Sequence, residues 1–172
     1  YNSANANPAF AGMGTTLVLC VIKDGRLLVG HIGDSRCYRV RGNTMDQITK
    51  DHSLLQEQID AGLITPEQAA VSPIKNLVTR ALGVEQAVML EVNEFSVESG
   101  DLYLMCSDGL SDMVSDEVIA RIAAEGSGVD QIAGHLVAAA NNNGGKDNIS
   151  VLMIAVNEAA EKKGFIARLL GK

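Results

Sequence analysis

The sequence of 172 residues is poor in the residues that usually announce a special class of protein. It holds only three prolines, and with 47% apolar and 20% charged residues this excludes a disordered tail or a fibrous repeat. The cysteines, Cys20, Cys37 and Cys106, are odd in number, form no Cys-x-x-Cys pair and have no histidine at ligand spacing. That pattern excludes a zinc site of the usual kind and a secreted disulfide scaffold. Each cysteine lies in an apolar run and reads as a reduced core residue. Positive charge is also scarce: 14 Lys plus Arg against 21 Asp plus Glu leave a net charge of −7. Nucleic acid is therefore not an expected partner, since phosphate backbones want a basic face. Long hydrophobic runs are missing too; Leu17 to Ile22, the longest clean one in the first half, is far short of a membrane span. The opening, Tyr1 to Pro8, lacks a basic region followed by an apolar one, so no signal peptide is expected. The expectation is a soluble cytoplasmic protein, and a first residue that is Tyr rather than Met suggests a fragment or a processed product.

What is present suffices for one core, because a chain of this size buries about 70% of its extended surface. The first half reads as strands: Thr15 to Ile22, a turn at Lys23-Asp24-Gly25, then Arg26 to His31. Arg36 to Val40 and Thr44 to Ile48 follow, and turns this short predict an antiparallel meander. Ser53 to Ala61 reads as a helix stopped at Gly62, and Thr65-Pro66 opens another. Strands return at Val88 to Val97 and Leu102 to Cys106. Two helices come next, one from Ser115 to about Ala124 and one over Gly128 to Asn141 with Ile132, Leu136 and Ala140 on one face. Ile149 to Val156 closes the series as a buried strand, and 158–172 predicts a C-terminal amphipathic tail with a mildly basic side. This alternation predicts an α+β layered fold.

One feature recurs. Three times an Asp beside Gly or Asn stands where a buried strand ends or is about to begin. The segments are Gly33-Asp34-Ser35-Arg36, Ser107-Asp108-Gly109-Leu110-Ser111-Asp112 and Gly144-Gly145-Lys146-Asp147-Asn148. Strand ends present short side chains on rigid supports, and a neighbouring Gly lets the backbone turn sharply. Carboxylates converging there would form an all-oxygen site suited to magnesium or manganese. Two such ions close together polarise a phosphoryl group and generate a nucleophile from water at neutral pH. Each Asp taken alone also fits a turn residue bonded to its own backbone, and spacing does not decide between the two readings. Among the other polar residues, His31 reads as structural, His52 as a loop or cap residue and His135 as the polar side of its helix.

The same segments, in the same order, resemble the motifs of the metal-dependent protein Ser/Thr phosphatases of type 2C in their short bacterial form. Gly12-Met13-Gly14-Thr15-Thr16 is similar to the family's Gly-Thr-Thr entry to a central strand, and Gly33-Asp34-Ser35-Arg36 to its Gly-Asp-Ser-Arg strand. Thr49-Lys50-Asp51-His52-Ser53, Thr79-Arg80-Ala81-Leu82-Gly83, Ser107-Asp108-Gly109 and Lys146-Asp147-Asn148 continue the likeness, which runs from Gly12 to about Asn157. The resemblance implies a layered α-β-β-α sandwich with two mainly antiparallel sheets, and a catalytic domain over 1–157. It implies that Asp108 and Asp147 bind one metal of a binuclear pair. Asp34 and Asp112, with Asp108, match the positions of a third, weaker metal. Asn148 would orient Asp147 from behind, and Gly33 and Gly109 would allow tight turns. Two or three Mn2+ or Mg2+ ions are implied, with phosphorylated protein substrates and a cognate Ser/Thr kinase as partners. The stretch from Leu54 to Lys75 corresponds to a mobile flap that influences substrate choice, and Arg36 to an ion-pair partner rather than a phosphate grip.

The chain departs from the family at its start. Members open with an Arg followed by Asn-Glu-Asp, then a strand ending in Asp-Gly-Met-Gly-Gly; here residue 11 is Ala11, and neither motif is present. The bridging carboxylate and the phosphate-binding Arg are thus missing, and the expectation is a poor catalyst when this stretch stands alone. The alternative function is a form that binds a phosphoprotein or kinase without turnover. A haloacid-dehalogenase-type phosphatase fails at once, because its nucleophilic Asp would stand where Cys106 is.

Overall fold

The computed structural model describes residues 1–72, 74 and 77–157. Strands β1 (Leu17–Lys23) and β2 (Arg26–Ile32) form a hairpin in which Lys23 faces Arg26. Asp24 and Gly25, both at positive φ, supply the two-residue turn whose twist suits flanking strands. β3 (Arg36–Arg41) and β4 (Thr44–Gln47) form a second hairpin. β5 (Glu91–Ser96), β6 (Leu102–Cys106) and β7 (Val151–Ala155) complete the strands described. They make two antiparallel sheets, one of order β1-β2-β5 and one of order β4-β3-β6-β7.

The expected meander is corrected here. β2 and β3 are consecutive but belong to different sheets, so Gly33, Asp34 and Ser35 carry the chain across the sandwich. Gly33 makes that crossing possible. Its φ is +100°, and a Cβ would lie 2.3 Å from Thr16 Cγ2, so both backbone conformation and space demand glycine.

Period-2 alternation turns Leu27 and Val29 of β2, Cys37 of β3 and Tyr103 of β6 into the inter-sheet core, where Val97 and Val156, just past β5 and β7, join them. The other face of the four-stranded sheet, through Tyr38, Val40, Leu104 and Cys106, packs against helices. α1 (Asn2–Ala6) precedes the strands, α2 (Leu54–Asp60) and α3 (Pro66–Ala70) follow β4, and α4 (Asp108–Ser111), α5 (Asp116–Glu125) and α6 (Val129–Asn142) follow β6. Leu110, Ile119 and Leu136 from the last three are buried in this second core. The outer face of the three-stranded sheet differs, for Val21, Leu28 and Val92 are 49%, 40% and 56% exposed on it.

Caps agree with the sequence. Ser53 Oγ accepts from Gln56 N–H at the start of α2, and Thr65 and Gln68 form a capping box with Pro66 in the first turn of α3. β5 begins at Glu91 rather than Val88, and α4 occupies a stretch expected to be loop. The predicted tail, 158–172, lies outside the described residues, as do Pro73 and Lys75 of the flap region and Asn76 just after it.

Candidate metal centre

Strand register decides where the candidate carboxylates meet. Arg36 of β3 lies opposite Cys106 of β6, which in turn lies opposite Val151 of β7. The segments just before β3, just after β6 and just before β7 therefore share one end of the sheet. They carry Asp34, Asp108 and Asp147.

Each carboxylate is fixed by local backbone geometry. Asp108 opens α4, where its Oδ1 accepts the Gly109 N–H at 2.9 Å and its carbonyl accepts the Asp112 N–H at 2.8 Å. Asp112 thus stands one turn further on, as the C-cap residue of this short helix. Asp147 Oδ1 accepts the Asn148 N–H at 2.6 Å, so the link between these residues runs through the Asn148 backbone. The Asp147 loop is stapled to the Asp108 loop by Ser107, whose hydroxyl donates to the Asn148 carbonyl at 2.9 Å and accepts the Ser150 N–H at 3.0 Å. Gly109, expected to allow a tight turn, lies in the first turn of α4. It is helical, and glycine is needed because a Cβ would stand 2.3 Å from the Asn148 carbonyl oxygen.

The charges press on one another. Burial raises the Asp34 carboxyl above its ordinary range, and the charges of Asp108, Asp51 and Asp112 add to this. Burial raises Asp108 likewise, followed by the charges of Asp147 and Asp112. Asp34, Asp108 and Asp112 face a cavity of about 520 Å³ whose other wall includes Leu55 and Ile59 of α2 and Ala69 of α3. Asp147 lies outside that lining and joins the group through Asp108. Among the described residues the lining's one basic side chain is Arg36, and it is already engaged. Its Nε and Nη2 donate to Asp51 at 3.0 and 2.7 Å and its Nη1 donates to Tyr38 Oη at 3.1 Å. An all-oxygen set with raised Asp34 and Asp108 carboxyls, in a lining whose one basic side chain among the described residues is already paired, has the chemistry of a site for a hard divalent ion.

Behind Gly33 lies a group of residues that are far apart in the sequence. His31 and His52 stack at 4.8 Å, with rings 14° apart, and Glu91 joins them. Donor atoms of the three lie within 4.8 Å of one another, but their protons are already assigned by their partners. The Lys50 carbonyl only accepts, so His31 Nε2, 2.7 Å away, carries a proton. His52 Nδ1 accepts the Gly33 N–H at 3.2 Å, so its Nε2 proton points at Glu91 Oε2, also 3.2 Å away. The His52 N–H returns a bond to the Gly33 carbonyl at 2.9 Å. This pair of hydrogen bonds to Gly33 clamps the crossing that presents Asp34. Glu91 gave no sequence signal, because its role exists only once β5 pairs with β2.

Comparison with known proteins agrees with this architecture. A family model of protein phosphatase 2C matches residues 2–142. The protein phosphatase PhpP of Streptococcus pneumoniae is 41% identical over 150 residues, which cover 87% of this chain and 61% of PhpP. The crystal structure of the Mycobacterium tuberculosis serine/threonine phosphatase PstP/Ppp superposes with a TM-score of 0.85 at 40% identity, over 91% of this chain and 66% of that one. The PstP catalytic domain in complex with two manganese ions superposes at 0.79 with 39% identity, over 88% and 63%. The chain therefore spans about three fifths of the length of PhpP, and among the described residues no helix is long and apolar enough to cross a membrane. With a matching family model, close relatives and a shared fold, this chain belongs to the protein phosphatase 2C family.

Proposed function

We propose that this chain is the larger part of a metal-dependent phosphoprotein phosphatase acting on phosphoserine and phosphothreonine, with residues 1–157 in its catalytic domain. The carrying observation is the convergence of Asp34, Asp108 and Asp112 on one cavity, with Asp147 against Asp108 and both Asp34 and Asp108 raised by burial and mutual charge. Asp108 and Asp147 would hold one ion of a pair, and Asp34, Asp108 and Asp112 a further one. The manganese complex of the related PstP domain supports manganese as the ion; magnesium satisfies the same oxygen donors. When bound, the ions supply the positive charge that an acidic site lacks and a nucleophile from water at neutral pH.

The protein's own residues do the rest. Asp34 is held by the Gly33 clamp, and Asp108 is held by the first turn of α4 with its backbone N–H bonds. Arg36 remains locked to Asp51, which keeps β3 and the Thr49–Ser53 segment together and leaves phosphate neutralisation to the metals. The wall formed by α2 and α3 covers the cavity beside the carboxylates and gives a protein substrate its contact surface. Phosphorylated proteins are the proposed partners, together with the Ser/Thr kinase that phosphorylates them, in a bacterial cytoplasm. Regulation of a kinase signal is the corresponding role.

The test is manganese-dependent hydrolysis of a phosphothreonine peptide and of an aryl phosphate by the complete protein, with Asp108→Asn beside it. The parent is expected to turn over both substrates and the variant to fall to background. Manganese at about 100 times its Kd should stabilise the parent by about 2.7 kcal/mol and leave the variant unmoved. Equal hydrolysis by both proteins would remove Asp108 from the site.

A further inference from the structure

Two of the three cysteines face each other across the sandwich. Cys20 lies on β1, opposite Val29 of β2, and Cys37 lies on β3, opposite Met105 of β6. The two strands belong to different sheets, yet Cys20 Sγ and Cys37 Sγ are 3.8 Å apart in the core between them. Both thiols are free. From this geometry we infer that Cys20 and Cys37 are a redox dithiol: a hydroperoxide oxidises them to an intramolecular disulfide that ties the two sheets together.

The two sulfurs are unequal, which assigns them different parts. Cys20 is half-buried on an edge strand, whereas Cys37 is fully buried. The contact with Cys37 lowers the Cys20 thiol below its ordinary value, against the opposing effect of burial. Cys37 is pushed up, first by that same contact and then by burial. Cys20 is thus the sulfur that meets the oxidant, and Cys37 resolves.

The chemistry balances. The Cys20 thiolate attacks one peroxide oxygen, the O–O bond breaks, and sulfenic acid and water form after one proton is taken up. The Cys37 sulfur then attacks the Cys20 sulfur, the S–O bond breaks, and the thiol proton leaves with hydroxide as a second water. Two thiols and one hydroperoxide give one disulfide and, for hydrogen peroxide, two waters; a dithiol reductant reverses the change. The sulfurs must close from 3.8 Å to a bond of about 2.05 Å, which side-chain rotation has to supply. Cys106 takes no part, for it lies on the opposite face of the four-stranded sheet among the helices.

The experiment treats the folded protein with stoichiometric hydrogen peroxide and follows its cysteines. The expected result is a mass loss of about 2 Da, with two of the three thiols no longer titratable after denaturation and both recovered with dithiothreitol. A non-reduced peptide map should join the Cys20 and Cys37 peptides. Cys106→Ala should behave like the parent. Cys37→Ala should instead accumulate a sulfenic acid at Cys20 that dimedone traps. The parent's own peptide map keeps the test decisive if a variant fails to fold. Three thiols surviving the treatment, stable oxygen addition at Cys20 in the parent, or a bridge that includes Cys106 or a second copy would overturn the inference.

Discussion

Asp101 is 1% exposed, an unusual place for a carboxylate, and its neighbours explain why it is tolerated. Arg41 Nε and Nη2 donate to it at 2.7 and 2.8 Å, the Glu98 N–H at 2.8 Å and Tyr103 Oη at 2.9 Å. Burial alone would raise its pKa; these four donors outweigh it and hold the carboxyl below the ordinary range. Its stabilising contribution is therefore complete above the unfolded value of about 3.9 and is lost as pH falls through the lower folded value. Asp101→Asn should cost about 3 kcal/mol at neutral pH, and the difference from the parent should shrink in acid, as read by urea unfolding across pH. A loss that does not change with pH would assign the effect to packing instead.

Gly109 is the second telling residue. Alanine there would place its Cβ on the Asn148 backbone, so the Asp108 and Asp147 loops must separate. Gly109→Ala is expected to cost about 1–3 kcal/mol and to weaken manganese binding about 10-fold, measured by calorimetric titration. Unchanged affinity would mean that the two loops need not stay in contact. Nothing local in Ser107-Asp108-Gly109 announces this, since the close approach is to a residue far along the chain.

At the scale of elements, β2 shows how far alternation carries. Leu27 and Leu28 are neighbours of one chemical type, yet Leu27 is fully buried between the sheets and Leu28 is 40% exposed on the outer face. Leu27→Ala should cost about 2–5 kcal/mol and Leu28→Ala about 0.5 kcal/mol. Denaturant midpoints compare them, and equal losses would contradict the face assignment. The strand itself was legible from its apolar run and the Asp24-Gly25 turn, as were α2 and α3 from Ser53, Thr65 and Pro66. The short helix α4 was not, because four residues show no periodicity. The switch of sheets between β2 and β3 was not legible either: a short turn usually returns a strand to its neighbour, and here the Gly33 conformation and the contact with Thr16 send it elsewhere.

At the scale of the whole molecule, the shared end of β3, β6 and β7 concentrates negative charge that the fold alone does not neutralise. Asp34 and Asp108 have folded pKa values above their unfolded ones, burial being the first cause. The folded state then holds the extra protons, so these two groups lower stability as pH rises from about 3.9 through their folded values. Without metal, Asp108→Asn should be more stable than the parent at neutral pH, and this gain should disappear in acid. Manganese should reverse the order at neutral pH by stabilising the parent alone. Thermal melts of both proteins with and without manganese at two pH values test this, and a metal-free variant less stable than the parent would refute the repulsion argument.

The sequence by itself determined most of the strand and helix segments, though not α1 or α4, together with the excess of acid, the three Asp-bearing loops and the family likeness, because these reside in local pattern and in the order of motifs. Only the tertiary structure decided which of those carboxylates act on one another, that His52, bonded to Glu91, clamps Gly33, and that Cys20 meets Cys37. The physical reason is register. Pairing Arg36 with Cys106 and Cys106 with Val151 brings distant loops to one sheet end, and packing one sheet on the other sets two thiols face to face. Neither placement is written in any single stretch of the chain.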